Sequence, residues 1–181
     1  MINKKLQLAT FGGGCFWCTE AVFQKVKGVE RVISGYSGGT VPGKPTYREI
    51  SSGLTGHAEV IQITFDANII SFKDILIIFL TTHDPTTLNQ QGADIGTQYR
   101  SVIFYHTNLQ KDIAKTVIDE ISPYYQNKII TQIKEYKVFY EAGLEHQDFY
   151  KNNKEQGYCR IVIDPKLAKL RKLHANKLKQ E

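Results

Sequence analysis

Alternating and helical spacings of apolar residues divide the chain into strands and helices. Period-two alternation and short apolar runs predict strands at 6–11, 29–36, 57–65 and 101–105. Apolar residues at helical spacing predict helices at 16–27, 72–82 and 109–121. The order strand–helix–strand–strand–helix–strand is typical of split βαβ folds. We therefore expect an α+β, ferredoxin-like two-layer sandwich with a mixed sheet.

The pattern is weaker beyond residue 121. It predicts an edge strand at 131–138 and a helix at 144–154, within an otherwise extended, coil-rich C-terminal segment. Leucines at helical spacing among lysines and arginines predict a solvated basic helix with one apolar edge in the tail, residues 165–181. Because no repeat or Pro-rich linker interrupts the chain, we expect a single domain over 1–181, with its core at 6–159.

Composition favours an ordinary globular protein, with 41% hydrophobic and 23% charged residues. No apolar run approaches the roughly 20 residues that span a bilayer, and the start does not resemble a signal peptide, so we expect a cytoplasmic protein. The net charge of +5 is concentrated in the tail and has no nucleic-acid-binding motif beside it. We therefore expect a monomer that binds neither nucleic acid nor membrane.

Candidate chemistry lies in the segment Gly12-Gly13-Gly14-Cys15-Phe16-Trp17-Cys18. Glycines between a strand and a helix allow a sharp turn, which brings Cys15 to the helix N-terminus. Backbone N–H groups and the helix macrodipole favour an anion there, so we expect the pKa of Cys15 to be lowered. The chain has three cysteines, an odd number that argues against a secreted disulfide framework.

Other interpretations compete for the same segment. A dinucleotide-binding loop would need glycine where Trp17 stands. Cys-x-x-Cys is also typical of thioredoxin-like disulfide oxidoreductases. A zinc site or metal sensor would need further ligands such as Cys159 and His57, because no second paired motif exists. A merely structural buried cysteine is disfavoured by the adjacent glycines.

An ordered set of further motifs narrows the choice. The chain resembles the A-type peptide methionine sulfoxide reductases from about residue 9 to residue 159. The resemblance rests on Gly-Cys-Phe-Trp-Cys at 14–18, Gly-Tyr-Ser-Gly-Gly at 35–39, Pro-Thr-Tyr at 45–47, Gly-His-Ala-Glu at 56–59, His-Asp-Pro-Thr at 83–86, Asp-Ile-Gly-Thr-Gln-Tyr-Arg-Ser at 94–101, Phe-Tyr-Glu-Ala at 139–142, His-Gln-Asp-Phe-Tyr at 146–150 and Gly-Tyr-Cys at 157–159.

The resemblance implies reduction of methionine-S-sulfoxide, free or in proteins, and hence repair of oxidised proteins. It implies that Cys15 attacks the sulfoxide sulfur and that Glu59 protonates the sulfoxide oxygen. It assigns oxygen-binding hydroxyls to Tyr47 and Tyr99, an aromatic wall for the substrate methyl group to Phe16 and Trp17, and the polar side of the pocket to Asp94.

The acid role of Glu59 also agrees with the strand pattern. In the strand predicted at 57–65, Glu59 shares a face with Ile61, Ile63 and Phe65. An apolar setting disfavours the carboxylate, so we expect a raised pKa for Glu59.

A second thiol is needed to condense with the resulting Cys15 sulfenic acid. The resemblance favours Cys159 in Gly-Tyr-Cys, and Cys18 is the alternative. Thioredoxin, or dithiothreitol in vitro, would then reduce the disulfide by thiol–disulfide exchange. We expect no bound metal, flavin or nicotinamide.

Overall fold

A computed structural model describes residues 3–180 of the chain. Its elements are β1 (Leu6–Gly12), α1 (Phe16–Gln24), β2 (Val29–Ser37), α2 (Tyr47–Ser51), β3 (Ala58–Asp66), α3 (Phe72–Thr82), β4 (Gln90–Gln91), β5 (Asp94–Ile95), β6 (Val102–Tyr105), α4 (Asn108–Ile121), β7 (Gln132–Glu135), β8 (Phe139–Glu141), α5 (Phe149–Asn152) and α6 (Asp164–His174). A single π-helical turn, Cys159–Ile163, leads directly into α6.

Six strands form one mixed sheet in the order β7-β6-β1-β3-β2-β8. The β6–β7 pair is parallel and the other pairs are antiparallel. The fold is therefore α+β, and β7 at 132–135 confirms the edge strand expected at 131–138.

Strand β3 lies in the interior of the sheet, between β1 and β2. Its alternate residues Ile61, Ile63 and Phe65 are fully buried in the main core. Glu59 shares their face because side chains alternate along a strand. The register pairs Glu59 with Tyr36 of β2, which fixes the carboxyl at one end of the sheet.

Helix α3 has the predicted bounds, 72–82. Ser71 caps its N-terminus by accepting a hydrogen bond from the Asp74 N–H at 3.0 Å. Ile75, Leu76 and Phe79 pack into the core, and Phe79 stacks on Phe11 of β1 with ring centroids 4.6 Å apart. The helix therefore covers the strand that leads to Cys15.

The helix predicted at 144–154 is wrong in its bounds. The structure has a 3-10 turn at Leu144–His146 and the short α5, separated by an extended Gln147. Asp148 has φ +51°, a left-handed conformation that a helix cannot continue through. The Gln147 side chain instead donates to the Ser34 carbonyl at 2.8 Å, which ties this segment to β2.

The basic tail forms α6 and packs back onto the domain, but the helix expected over 165–181 is shorter than predicted, because α6 ends at His174 and a 3-10 turn follows at Ala175–Lys177. Leu167 and Leu170 are buried, whereas Leu173 is half-exposed. Beyond the helix, Lys177 pairs with Asp74 of α3 at 2.7 Å. Across residues 3–180, no helix is both long and apolar enough to cross a bilayer.

Candidate active site

Cys15 lies at the sharp turn between β1 and α1, immediately before the first helical residue. Gly14 in this turn has φ +93°, which side chains rarely adopt. A Cβ atom at Gly14 would also lie 2.7 Å from the Gln91 side chain. Only glycine fits here, and the structure thus gives Cys15 the position that the sequence predicts.

Glu59 reaches the same turn from β3. The Phe16 N–H, one of the unpaired donors at the start of α1, donates to Glu59 Oε2 at 3.1 Å. The residue is 2% exposed, and burial raises the pKa of Glu59 to about 8. The Phe16 N–H opposes this shift, whereas the charges of Asp94 and Cys18 add to it. The expected raised pKa of Glu59 is confirmed, and the carboxyl is mostly protonated at neutral pH.

The expectation of a lowered pKa for Cys15 is wrong for this structure. Burial is the main cause that holds the pKa of Cys15 well above its ordinary value. The hydrogen bond with Cys18 and the charge of Glu59 raise it further. Desolvation of the thiolate therefore outweighs the helix N-terminus, a balance that the sequence pattern could not reveal.

Cys18 belongs to a second set of polar groups beside Cys15. Its Sγ lies 3.5 Å from Tyr158 Oη, and Tyr158 in turn donates to Asp94 Oδ2 at 2.8 Å. Cys15, Cys18, Asp94 and Tyr158 all line a cavity of about 220 Å³. The hydrogen bond from Cys15 is the largest cause that lowers the pKa of Cys18. The two thiols thus share one cavity, and their residues are joined by a backbone hydrogen bond from the Cys18 N–H to the Cys15 carbonyl at 3.1 Å.

Cys159 has a different environment. It is fully buried in the main core, at the first residue of the π-helical turn. Burial raises the pKa of Cys159, and the charges of Asp164 and Cys18 add to that shift. The cavity wall from this segment is formed by Tyr158, Ile161 and Val162. All three cysteines are free thiols.

Tyr47 and Tyr99 are brought close to Glu59 and Cys15 from two separate elements. Tyr47 is the first residue of α2, and Tyr99 ends a 3-10 turn at 97–99. Burial raises the pKa of both phenols, and the charges of Glu59 and Cys15 contribute to both shifts. Both hydroxyls therefore stay protonated and are available as donors.

An aromatic cluster adjoins the start of α1. Trp17 stacks on Phe149 with ring centroids 3.6 Å apart, and its Nε1 donates to His146 Nδ1 at 3.2 Å. The His146 ring also lies 4.5 Å from Tyr47 and 5.4 Å from Phe16. Burial lowers the pKa of His146, so the neutral ring can accept the Trp17 N–H.

His146 and Tyr158 are parts of the site that sequence reasoning did not single out. Both stand in recognised motifs, but nothing in their local spacing indicates contacts with Trp17 or Cys18, which lie more than 120 positions away.

The zinc alternative gains no support from the geometry. Within the described range 3–180, no group of three His, Cys, Asp or Glu side chains is arranged to hold a metal ion.

The arrangement combines a thiol, a carboxyl that holds a proton at neutral pH, two phenol hydroxyls and an aromatic cluster, a set of groups that suits reduction of a polar oxidised sulfur. The profile of the peptide methionine sulfoxide reductase family matches residues 7–179. The chain is 55% identical over 174 residues to peptide methionine sulfoxide reductase MsrA of Saccharolobus solfataricus, covering 96% of this chain and 98% of that protein.

Solved structures agree with this similarity. Reduced Mxr1 of Saccharomyces cerevisiae superposes with a TM-score of 0.78 at 34% identity, over 86% of this chain and 90% of that one. Mxr1 in complex with Trx2 superposes with a TM-score of 0.55 at 27% identity, over 80% of this chain and 85% of that one.

Proposed function

This chain belongs to the A-type peptide methionine sulfoxide reductases, and on that premise we propose that its Cys15 thiol reduces methionine sulfoxide to methionine. The observation that carries the assignment of roles is the 3.1 Å hydrogen bond between the Phe16 N–H and Glu59. This bond holds the mostly protonated Glu59 carboxyl against Phe16, the residue that follows Cys15.

The first step joins Cys15 and Glu59. The Cys15 sulfur attacks the sulfoxide sulfur, and Glu59 gives its proton to the sulfoxide oxygen. The oxygen then transfers from the substrate sulfur to the Cys15 sulfur as the bond between the substrate sulfur and this oxygen breaks, so methionine leaves and Cys15 becomes sulfenic acid. The proton lost by the Cys15 thiol replaces the proton that Glu59 gave up. A pKa of about 8 supports this role, because Glu59 holds a proton at neutral pH and can still release it.

Tyr47, Tyr99 and the aromatic cluster hold the substrate during this step. The two phenols donate to the sulfoxide oxygen, in the manner of an oxyanion hole. Phe16 and Trp17 receive the methyl group, and the hydrogen bond from Trp17 to His146 supports a fixed orientation of the indole. Asp94 completes the polar side through the hydroxyl of Tyr158.

For the second thiol, sequence resemblance favours Cys159, whereas the geometry supports Cys18. The Cys18 N–H donates to the Cys15 carbonyl at 3.1 Å, and both side chains line the same cavity. Cys159 would first have to leave the core. We therefore propose that Cys18 condenses with the Cys15 sulfenic acid, forming a disulfide and releasing water.

A dithiol reductant must regenerate the enzyme. Yeast Mxr1 has been crystallised with Trx2, which supports thioredoxin as the partner of this chain. Thiol–disulfide exchange needs no bound cofactor, and dithiothreitol replaces thioredoxin in vitro.

We further propose a monomeric single domain with a ferredoxin-like split βαβ core. The antiparallel order β6-β1-β3-β2 supports that core. A reducing compartment such as the cytoplasm would suit an enzyme whose cysteines are free thiols. Oxidised proteins and free methionine sulfoxide would both be substrates.

Resolved epimers of a methionine sulfoxide peptide and of the free amino acid test the proposed activity, with dithiothreitol as reductant. We expect methionine from the S epimer and none from the R epimer. Reduction of insulin disulfides with no turnover of either epimer would instead indicate a disulfide oxidoreductase.

A further inference from the structure

Lys166 reaches the thiol pair from the C-terminal helix. It lies in the first turn of α6, is half-buried, and lines the 220 Å³ cavity together with Cys15 and Cys18. Its ammonium donates to the Thr82 carbonyl at 3.4 Å, at the end of α3. The carbonyl end of a helix favours a cation, so α3 helps to hold the ammonium in this position.

Lys166 is the cation that acts on the Cys18 thiol. Burial lowers the pKa of Lys166, whereas the charges of Cys18, Asp94 and Cys15 raise it. Lys169 also acts on Lys166, by repulsion. The groups that act on Cys18 are Cys15, Tyr158, Lys166 and Asp94. Of these groups, Lys166 alone carries a positive charge.

We propose that Lys166 is a positioning residue whose charge stabilises the thiolate of Cys18 and so prepares it to attack the sulfenic acid on Cys15. This inference rests on the proposed function, and it adds a residue from the basic tail to the second half of the reaction. Charges interact more strongly in a partly desolvated cavity than in water, which gives the ammonium its effect at this site.

Lys166 assists the closure of the disulfide between Cys18 and the sulfenic acid of Cys15. The Cys18 thiolate supplies the electron pair of the new S–S bond, and the S–O bond of the Cys15 sulfenic acid breaks. Hydroxide leaves and becomes water with a proton from solvent. Cys18 is oxidised and the Cys15 sulfur is reduced to the disulfide level. Lys166 exchanges no atom with either sulfur, so it acts only through Cys18.

The lowered pKa of Cys18 agrees with this role. The hydrogen bond from Cys15 is its largest cause, and Tyr158 and Lys166 act in the same direction. Burial and the charge of Asp94 oppose it. Without the ammonium, burial and the charge of Asp94 raise the pKa of Cys18. At a fixed pH below this pKa, the thiolate fraction of Cys18 falls about tenfold when the pKa rises by one.

Lys166→Met and its matched control Lys169→Met test the inference. Lys169 lies on the same helix but is exposed, and it does not line the cavity that Lys166 shares with Cys15 and Cys18. Each full-length variant is mixed with one equivalent of methionine-S-sulfoxide and no reductant, between about pH 6 and about pH 9. Methionine and remaining thiols are counted in quenched samples, and dimedone traps sulfenic acid.

In Lys166→Met we expect disulfide closure to slow about tenfold more than methionine formation near neutral pH, with closure recovering at higher pH. The dimedone adduct then accumulates on Cys15. Lys166→Arg should restore closure, and Lys169→Met should behave as the wild type. Lys166→Gln carries the same comparison if the methionine variant does not fold.

Three results would overturn the inference: closure at the wild-type rate without the ammonium, slower closure with an unshifted pH profile, or a wild-type disulfide between Cys15 and Cys159. Absence of methionine in the wild-type reaction would refute the proposed function instead. The two failures are therefore distinguishable.

Discussion

Substitution of Glu59 by glutamine removes the proton donor while keeping the shape of the side chain. The amide oxygen of glutamine can still accept the Phe16 N–H that now bonds Glu59 at 3.1 Å. The local structure should therefore survive, and loss of activity would report loss of the proton.

The magnitude follows from the pKa of Glu59, which burial raises to about 8. About nine in ten molecules hold the proton at pH 7, and about one in ten at pH 9. The rate advantage of the wild type over a variant without this acid should therefore fall about tenfold between these values, because the titration of Cys15 affects both proteins alike. A positioned general acid contributes about 10²- to 10⁴-fold, so Glu59→Gln should be slower than the wild type by that range at pH 7.

Glu59→Gln should lose activity but gain stability against unfolding. The pKa of Glu59 is raised on folding from 4.5 to about 8, so the native state retains a proton that the unfolded chain releases. The free energy of unfolding then decreases as pH rises between these values. Glu59→Gln lacks this penalty and should be more stable than the wild type by about 3 kcal/mol at pH 7, and by less at lower pH.

The assay is a single turnover without reductant, because dithiothreitol itself titrates in this range. Methionine is quantified in quenched samples, and urea unfolding is measured on the same preparations. Glu120→Gln is the matched control, since Glu120 is an exposed residue of α4 that pairs with Lys73. A Glu59→Gln rate within threefold of the wild type at pH 7, or a ratio of wild-type to variant rates that does not fall above pH 8, would refute the reasoning (the threefold limit is roughly 0.7 kcal/mol).

Three further changes test other parts of the site. Tyr99→Phe should slow methionine formation at least about tenfold, because it removes one donor to the sulfoxide oxygen. The control Tyr124→Phe should form methionine at the wild-type rate, because Tyr124 is 87% exposed. Equal rates of methionine formation in the two variants would remove Tyr99 from the mechanism. Trp17→Phe deletes the hydrogen bond to His146 and should lower kcat/KM about fivefold, equivalent to about 1 kcal/mol; an unchanged kcat/KM would make Trp17 an ordinary core residue. In urea unfolding, Gly14→Ala should lower the free energy of unfolding by about 1–3 kcal/mol, because Gly14 has a positive φ and its added Cβ would clash with the Gln91 side chain. Gly157→Ala should leave the free energy of unfolding nearly unchanged, because no atom lies within 4 Å of the added Cβ. Similar values for both variants would contradict the strain argument.

Periodic elements were the predictable part of the fold. Helix α3 matches its predicted bounds, and β3 differs from its own by one residue at each end, because each has a sustained apolar pattern. Helix α2 was missed since it has only five residues, yet Thr46 and Glu49 form a capping box that the sequence displays. Strand β8 has three residues and depends on pairing with β2, which local spacing does not reveal.

The site was predictable where its residues stand next to a recognisable turn or motif. Cys15 and Glu59 could be placed on their elements from the sequence, whereas Lys166 and Tyr158 approach the thiols only after the C-terminal segment folds back. The pKa of Cys15 shows the same limit. The helix N-terminus is visible in the sequence, but the burial that outweighs it depends on packing from elsewhere in the chain.

The central claim is that Cys15 takes the oxygen from the sulfoxide. A variant with Cys18→Ser and Cys159→Ser retains Cys15 alone, so it can be oxidised but cannot close a disulfide within the chain. After one equivalent of methionine-S-sulfoxide, we predict one methionine per enzyme and a dimedone adduct on Cys15, located by mass spectrometry of peptides. Methionine formed without modification of Cys15, or formed equally well by Cys15→Ser in the intact chain, would contradict the account.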